Sequence, residues 1–410
     1  MIQIRPSLRL DFSSLATFDP RLSFTRGSTA TYTDALGVVR TAPANAPRFD
    51  YDPITLVCRG LLIEGSRANA LLNSEDLSAA SWTNSQTAET ANTVAAPNGT
   101  TTADKLTELA ATAEHTILQD VTLTVNTQRC LSVWAQAAER STIRLRLLDA
   151  GATSNFVSAF FDLTGSGTAR DATNGGNGSG ALARIEQYPN GWFRCFLMGT
   201  PNTSGTTVRA EIALSTGGTT TSYLGVVSSG VQLWGAQLEV SGSSFGSTYI
   251  ATTSVAVTRS ADACTMATTG WLSAAEGTLF AEATPTALSN NTRIISLNAG
   301  GANEEVRISV GGSPLIGATA VGGVTQASIT VGTNVVLGQA VNSAIAYAAN
   351  DVQFARDGVL GTRDTSGTIP TVTTLDIGSV GAASHLYGCV RRALYFPRRM
   401  TDAQLQALTA

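Results

Sequence analysis

One stretch of this 410-residue chain has the spacing of a serine nucleophile: Gly242-Ser243-Ser244-Phe245-Gly246 fits G-x-S-x-G. That pattern does chemistry where a strand enters, a helix leaves and a histidine is brought to the serine. Here an apolar strand enters, but STYIATTSVAVT follows, which is β-rich. The stretch is expected to be a Ser/Gly turn. Glycoside hydrolysis needs another set, two carboxylates roughly 5–9 Å apart across a cleft. Asp162, Glu186, Glu211 and Glu239 are the candidates. Calcium would want clustered oxygen ligands; Asp351, Asp357 and Asp364 lie in one region, though Asp357 is accounted for by the turn Asp357-Gly358. Five cysteines (Cys58, Cys130, Cys195, Cys264, Cys389) stand far apart, with only His115 and His385 to join them, so zinc is not expected. No cofactor and no metal are expected.

Aromatic residues beside donors suggest a different chemistry. A sugar ring offers a face of C–H groups and an edge of hydroxyls, which a flat aromatic beside an arginine or amide matches. Trp82, Tyr188, Trp192 and Arg194 are the candidate ligand-binding residues. Pro189-Asn190-Gly191 must turn, so Tyr188 before it is expected to be exposed and Trp192 to begin a strand at a loop edge. Arg194, two residues on, shares the face of Trp192 if the strand is regular. Trp134 and Trp234 read as core. In VQLWGAQLEV (231–240), Trp234, Ala236, Leu238 and Val240 are apolar at every second place, the period of a half-buried strand.

The elements that would position these residues are strands. Charged residues are only 14% of the chain and Gly is frequent (39), a composition of short strands and many turns rather than long helices. Residues 1–71 read as hairpins: LSFTRGSTATYTDALGVVRTA turns at Asp34–Gly37, and RFDYDPITLVCRGLLIE turns at Asp52-Pro53. They are too few to bury a core and must pack on a neighbour or another subunit. Residues 72–262 alternate strand and turn, with ATNGGNGSGA (172–181) the most glycine-rich turn, and read as a sandwich or jelly roll. Residues 263–410 repeat the theme with seven strands, and MTDAQLQALTA closes in a helix capped by Thr401 and Gln404. The fold class is all-β: an N-terminal hairpin module, two β-sandwiches and a short C-terminal helix.

A net charge of −4 offers no basic footprint, so nucleic acid is not an expected partner. MIQIRPSLRLDF has no apolar leader core and no run of about 20 apolar residues occurs, so neither export nor membrane insertion is expected. The scattered cysteines read as thiols of a reducing compartment, the cytoplasm in which the chain is made.

The ordered stretches DPRLSFTRGSTATYTDALGVVRTAPANAPRFDYDP, GLLIEGSRANALLNSEDLSAASWT, TTADKL, YPNGWFR and LWGAQLEVSGSSFGSTYIATTSVAVTRSAD carry a resemblance. The chain resembles the surface proteins of tailed bacteriophages, variously tail fibre, receptor-binding or head spike fibre proteins, with a carbohydrate-binding-like jelly roll in the middle. GTLFAEATP, VQFARDGVLG, LDIGSV and YGCVRRALYFPRRMTDAQLQAL resemble a concanavalin A-like, laminin-G-type sandwich. The chain departs from the pattern at RANALLNSED, where the related chains carry a bulkier, more apolar segment. The resemblance implies a non-enzymatic virion surface protein that attaches to a bacterial surface glycan or pilus, with other tail, baseplate or capsid proteins as partners. It also implies a homotrimer, anchored by residues 1–71. A head spike or capsid decoration protein and a polysaccharide-degrading tailspike are the alternatives.

Overall fold

A computed structural model describes residues 5–13, 18–201, 206–239, 246–287, 290–312, 314–332 and 334–410. The fold is all-β, with one short helix at Asp402–Thr409. That helix is capped as expected: the Thr401 side chain accepts from the Gln404 amide, and the Gln404 side chain accepts in turn from the Thr401 amide. Met400 and Leu405 are buried in one cluster beside it.

The middle sandwich has two antiparallel sheets. The front sheet runs Ser179–Gln187, Trp192–Thr200, Arg129–Ala137, Gly230–Glu239, Ala103–Glu108, Thr87–Val94, and is joined by Arg67–Asn69 and Val257–Arg259. The back sheet runs Thr168–Gly175, Ala152–Asp162, Thr142–Asp149, Thr207–Ser215, Thr116–Thr122, Thr83–Ser85. Alternating residues such as Ile143, Leu145 and Leu147 meet Leu131, Leu197 and Leu238 between them. The stretch 172–181 is not a loop: all but Gly176–Gly178 lies in strands, and those glycines turn the chain from the back sheet to the front.

The second sandwich takes its neighbours from both ends of the chain. Glu276–Pro285, Val341–Ala348, Asp351–Arg356 and Gly388–Phe396 form one sheet, which Leu8–Asp11, Phe49–Tyr51 and Cys58–Ile63 extend. The facing sheet contains Asn290–Asn298, Glu305–Gly311 and Thr374–Ile377, extended by Ser23–Thr25 through Ala263–Ala267. Leu8, Leu10, Leu61 and Ile63 are buried with Ile295, Ile345, Phe354 and Tyr395 in one core. The neighbour required by the N-terminal hairpins is therefore this sandwich. It also contains a hairpin absent from the sequence reading, Leu315–Val321 and Val324–Val331; the second strand turns Thr325, Ser328 and Thr330 outward. Asp357 and Gly358 are both left-handed, as the primed turn requires.

Five side chains fasten the N-terminal strands to the rest. Arg26 meets Asp262 at 3.1 Å, and Arg48 spans Glu64 at 2.8 Å and Asp262 at 2.5 Å. Arg259 also pairs with Glu64. The Thr248 amide and hydroxyl donate to Glu64 at 2.8 and 2.7 Å. All five charged residues are at most 2% exposed. Burial pushes the Glu64 carboxyl up, but Arg259, Arg48 and Thr248 outweigh it and hold it down at about 2.

Candidate functional site

The strand Gly230–Glu239 does not keep the expected phase. Gly235 is left-handed (φ 65°), and the register against Arg129–Ala137 slips between Ser132 and Trp134. A bulge of this kind inserts one residue and reverses the faces beyond it. Ala236 and Leu238 consequently enter the inter-sheet core, while Trp234 points to the other side of the sheet.

On that outer face Trp134, Tyr188, Trp192, Trp234 and Tyr249 form one cluster. Ring centroids of Trp134 lie 5.2 Å from Trp234, 5.3 Å from Tyr249 and 5.7 Å from Tyr188. The Arg194 guanidinium stands 4.3 Å from a Trp134 ring, on the Trp192 face as expected. The cluster is covered by the hairpin Ala30–Thr33/Val39–Ala42: Val39 packs into it, Thr31 donates to the Tyr249 carbonyl at 2.6 Å, and the Val39 amide donates to Pro97 at 3.0 Å. The exposure expected of Tyr188 is thereby corrected, since it is buried and its hydroxyl is pushed up to about 12 by burial. Trp192 is buried too, with its indole N–H donating to Ala95 at 3.1 Å, and so are Arg194 and Trp82. Tyr188 and Arg194 line a crevice of about 60 Å³ with Asp50, Arg59 and Glu186, too small for a sugar ring. Asp50 is raised to about 6 there, chiefly by burial and against the pull of Arg59.

An open groove lies on the same sandwich. It has a volume of about 440 Å³, between residues 73–78, the strands Thr87–Val94 and Ala103–Glu108, and residues 251–253. Its wall is fixed by local hydrogen bonds. The Asp104 carboxylate accepts from the Leu77 amide at 2.7 Å and the Asn92 amide at 2.9 Å, tying the loop to the sheet. Asn73 and Asn92 are both left-handed, a conformation that asparagine tolerates better than most residues. The Trp82 indole donates to the Asn73 carbonyl at 3.2 Å, so this predicted site residue buttresses the groove from inside. Asp76 accepts from the Ser78 amide and hydroxyl through Oδ1. Glu75 is half-buried; burial raises its carboxyl, partly offset by the Tyr249 hydroxyl and the Trp234 indole N–H that face it. The Trp234 N–H falls short of hydrogen-bond geometry. The segment RANALLNSED supplies Asn73, Glu75 and Asp76 to this wall.

No family model and no curated protein matches the chain. Among solved structures, the Ruminococcus gnavus IT-sialidase CBM40 bound to alpha2,3 sialyllactose is 12% identical, over 34% of this chain and 84% of its own, at a TM-score of 0.30. A heptameric SAP-like pentraxin from Limulus polyphemus is 15% identical over 33% of this chain and 70% of its own, at 0.27. Mouse laminin alpha1 domains LG4-5 are 10% identical over 71% and 92%, at 0.25. Likenesses this faint carry no weight for ligand or activity.

The other candidates are dispersed. Asp162 pairs with Arg170 at 2.7 Å, Glu186 with Arg184 at 3.1 Å, Glu211 with Arg144 at 2.7 Å, and Glu239 with Arg67 at 3.4 Å. Two stand on the back sheet and two on the front, and none lines the open groove. Asp351 is taken by Arg363 and Arg399, Asp357 by Arg356 and the Asn342 amide, and Asp364 by Ser366. Among the described residues no three Asp, Glu, His or Cys could hold a metal ion. Ser244 lies outside the described residues. The groove was missed in the sequence because N-S-E-D reads as an ordinary polar loop.

Proposed function

We propose that the chain is a non-enzymatic attachment protein on the surface of a tailed-phage particle, recognising a glycan of the bacterial surface. The observation that carries the binding half is the groove, an open polar concavity of about 440 Å³ presenting carboxylate, amide and hydroxyl groups. That volume is in the range of small-molecule sites, roughly 300–1,000 Å³. Sugar hydroxyls donate to carboxylates and exchange hydrogen bonds with amides and hydroxyls, so this lining matches them. The virion role and a homotrimeric state rest on the sequence resemblance. The non-enzymatic reading is supported by the placement of Asp162, Glu186, Glu211 and Glu239: each is engaged by an arginine, two stand on each sheet, and none lines the groove.

The test is competition. Purified protein added to host cells should block particle adsorption, release no reducing ends from host polysaccharide, and sediment as a trimer. An antibody against the chain should label the particle surface. Absence of both blocking and labelling overturns the reading, and release of reducing ends replaces it with the enzymatic one.

A further inference from the structure

We propose that the groove selects a saccharide carrying a free, protonated amine. This rests on the glycan reading above and names its ligand class.

Three carboxylates line the groove, Glu75, Asp76 and Asp104, and no arginine, lysine or histidine does. Several buried acids elsewhere are paired with arginine: Glu64 with Arg48, Glu108 with Arg140, Glu211 with Arg144, Glu305 with Arg293. The groove acids have only neutral donors. Asp104 accepts two backbone amides, Asp76 accepts from Ser78 through one oxygen, and Glu75 is faced by the Tyr249 hydroxyl and the Trp234 indole. Trp234 is 1% exposed and its N–H has no hydrogen-bond partner, so the wall behind Glu75 keeps an unused donor aimed at it.

The three carboxylates are not gathered round one point, as a metal ion requires. They are spread around a space large enough for an organic molecule. An ammonium on that molecule supplies the cation that the chain itself omits, while the hydroxyls of the ring donate to the remaining acceptors. Asn73, Asn92, Ser78, Thr102 and Thr253 furnish the neutral part of the lining. An anionic sugar would meet three like charges with no counter-ion.

The decisive comparison is between a cationic, a neutral and an anionic oligosaccharide of equal length. Calorimetry on the full chain would use a chitosan tetramer, its N-acetylated chitin counterpart and an alginate tetramer. The chitosan tetramer should bind at least about tenfold tighter than the chitin tetramer (about 1.4 kcal/mol), weaken with added salt, and alginate should not bind. Asp76→Asn should erase most of that preference without changing the melting temperature, and Ala91→Trp, at an exposed position in the lining, should block binding. Asp171→Asn removes one exposed charge away from the groove and should change nothing. Equal affinity for the acetylated and free-amine tetramers, tighter binding of alginate, or an equal loss with Asp171→Asn would overturn the proposal. If none of these tetramers and no member of a broad neutral and acidic glycan panel binds, the glycan reading itself falls. If neutral glycans bind and chitosan does not, that reading stands and the amine preference falls.

Discussion

Replacing Glu64 by Gln tests how the N-terminal strands are held. The substitution keeps volume and removes one charge, leaving Arg48 and Arg259, both at most 1% exposed, without their shared carboxylate. Removing one member of a buried ion pair typically costs about 3–5 kcal/mol, because the remaining charge stays desolvated. Linkage gives a second route to the magnitude. The Glu64 carboxyl falls from its usual 4.5 to about 2 in the folded chain, which corresponds to about 3 kcal/mol of stability at neutral pH. The folded value is depressed, so that contribution is complete above about 4.5 and is lost as pH falls through about 2. Urea titrations followed by tryptophan fluorescence should show Glu64→Gln less stable by about 3–5 kcal/mol at pH 7, with the gap closing towards pH 2. A deficit under about 1 kcal/mol at pH 7, or one that stays constant down to pH 2, would refute the reasoning.

Three further outcomes are expected. Trp192→Ala should lower stability by about 3–5 kcal/mol, since a buried ring is removed; the check is whether melting falls before any change in cell binding. Gly235→Ala should cost about 1–3 kcal/mol, because the added carbon would stand 2.8 Å from the Trp134 ring in a left-handed backbone; thermal melting measures it. For Asp50, raised to about 6 in the folded chain, the folded state holds a proton that the unfolded state has lost between about pH 4 and 6. Its contribution to stability therefore declines as pH rises through that window, by about 3 kcal/mol, and Asp50→Asn should flatten the wild-type slope there.

Local features were legible in the sequence because they are set by neighbours in the chain. The Asp34–Gly37 and Asp357-Gly358 turns, the Thr401 cap and the alternation of Ile143, Leu145 and Leu147 all depend on residues a few places apart. Pairing partners were not legible. Nothing local says that Leu8–Asp11 lies against Gly388–Phe396, or that Arg48 meets Asp262 across more than 200 residues. The one available signal was chemical: an acid ending the apolar run LLIE in a chain poor in charge. Tyr188 was misplaced for the same reason, because the turn beside it was read correctly while the hairpin that covers it comes from residues 30–42. Gly235 did carry a signal, an isolated glycine within a strand, and it marks the bulge that turned Trp234 round.

The pairing of Leu8–Asp11 with Gly388–Phe396 sets a timetable for biosynthesis. At about 5–20 residues per second, the ribosome needs about 20–80 s after making the first of these strands to deliver the second. Throughout that interval Leu8–Asp11 and the outer edge of Cys58–Ile63 lack the strand that joins them to their sheet, and their apolar residues and unpaired amides stay open to other chains. The middle sandwich, contiguous apart from the short strand Arg67–Asn69, can close long before the second does. A stop codon a few dozen residues early would therefore remove the central strand Gly388–Phe396 and strand the beginning of the chain along with the end. Late truncations should be recovered as aggregates that still contain a folded middle sandwich.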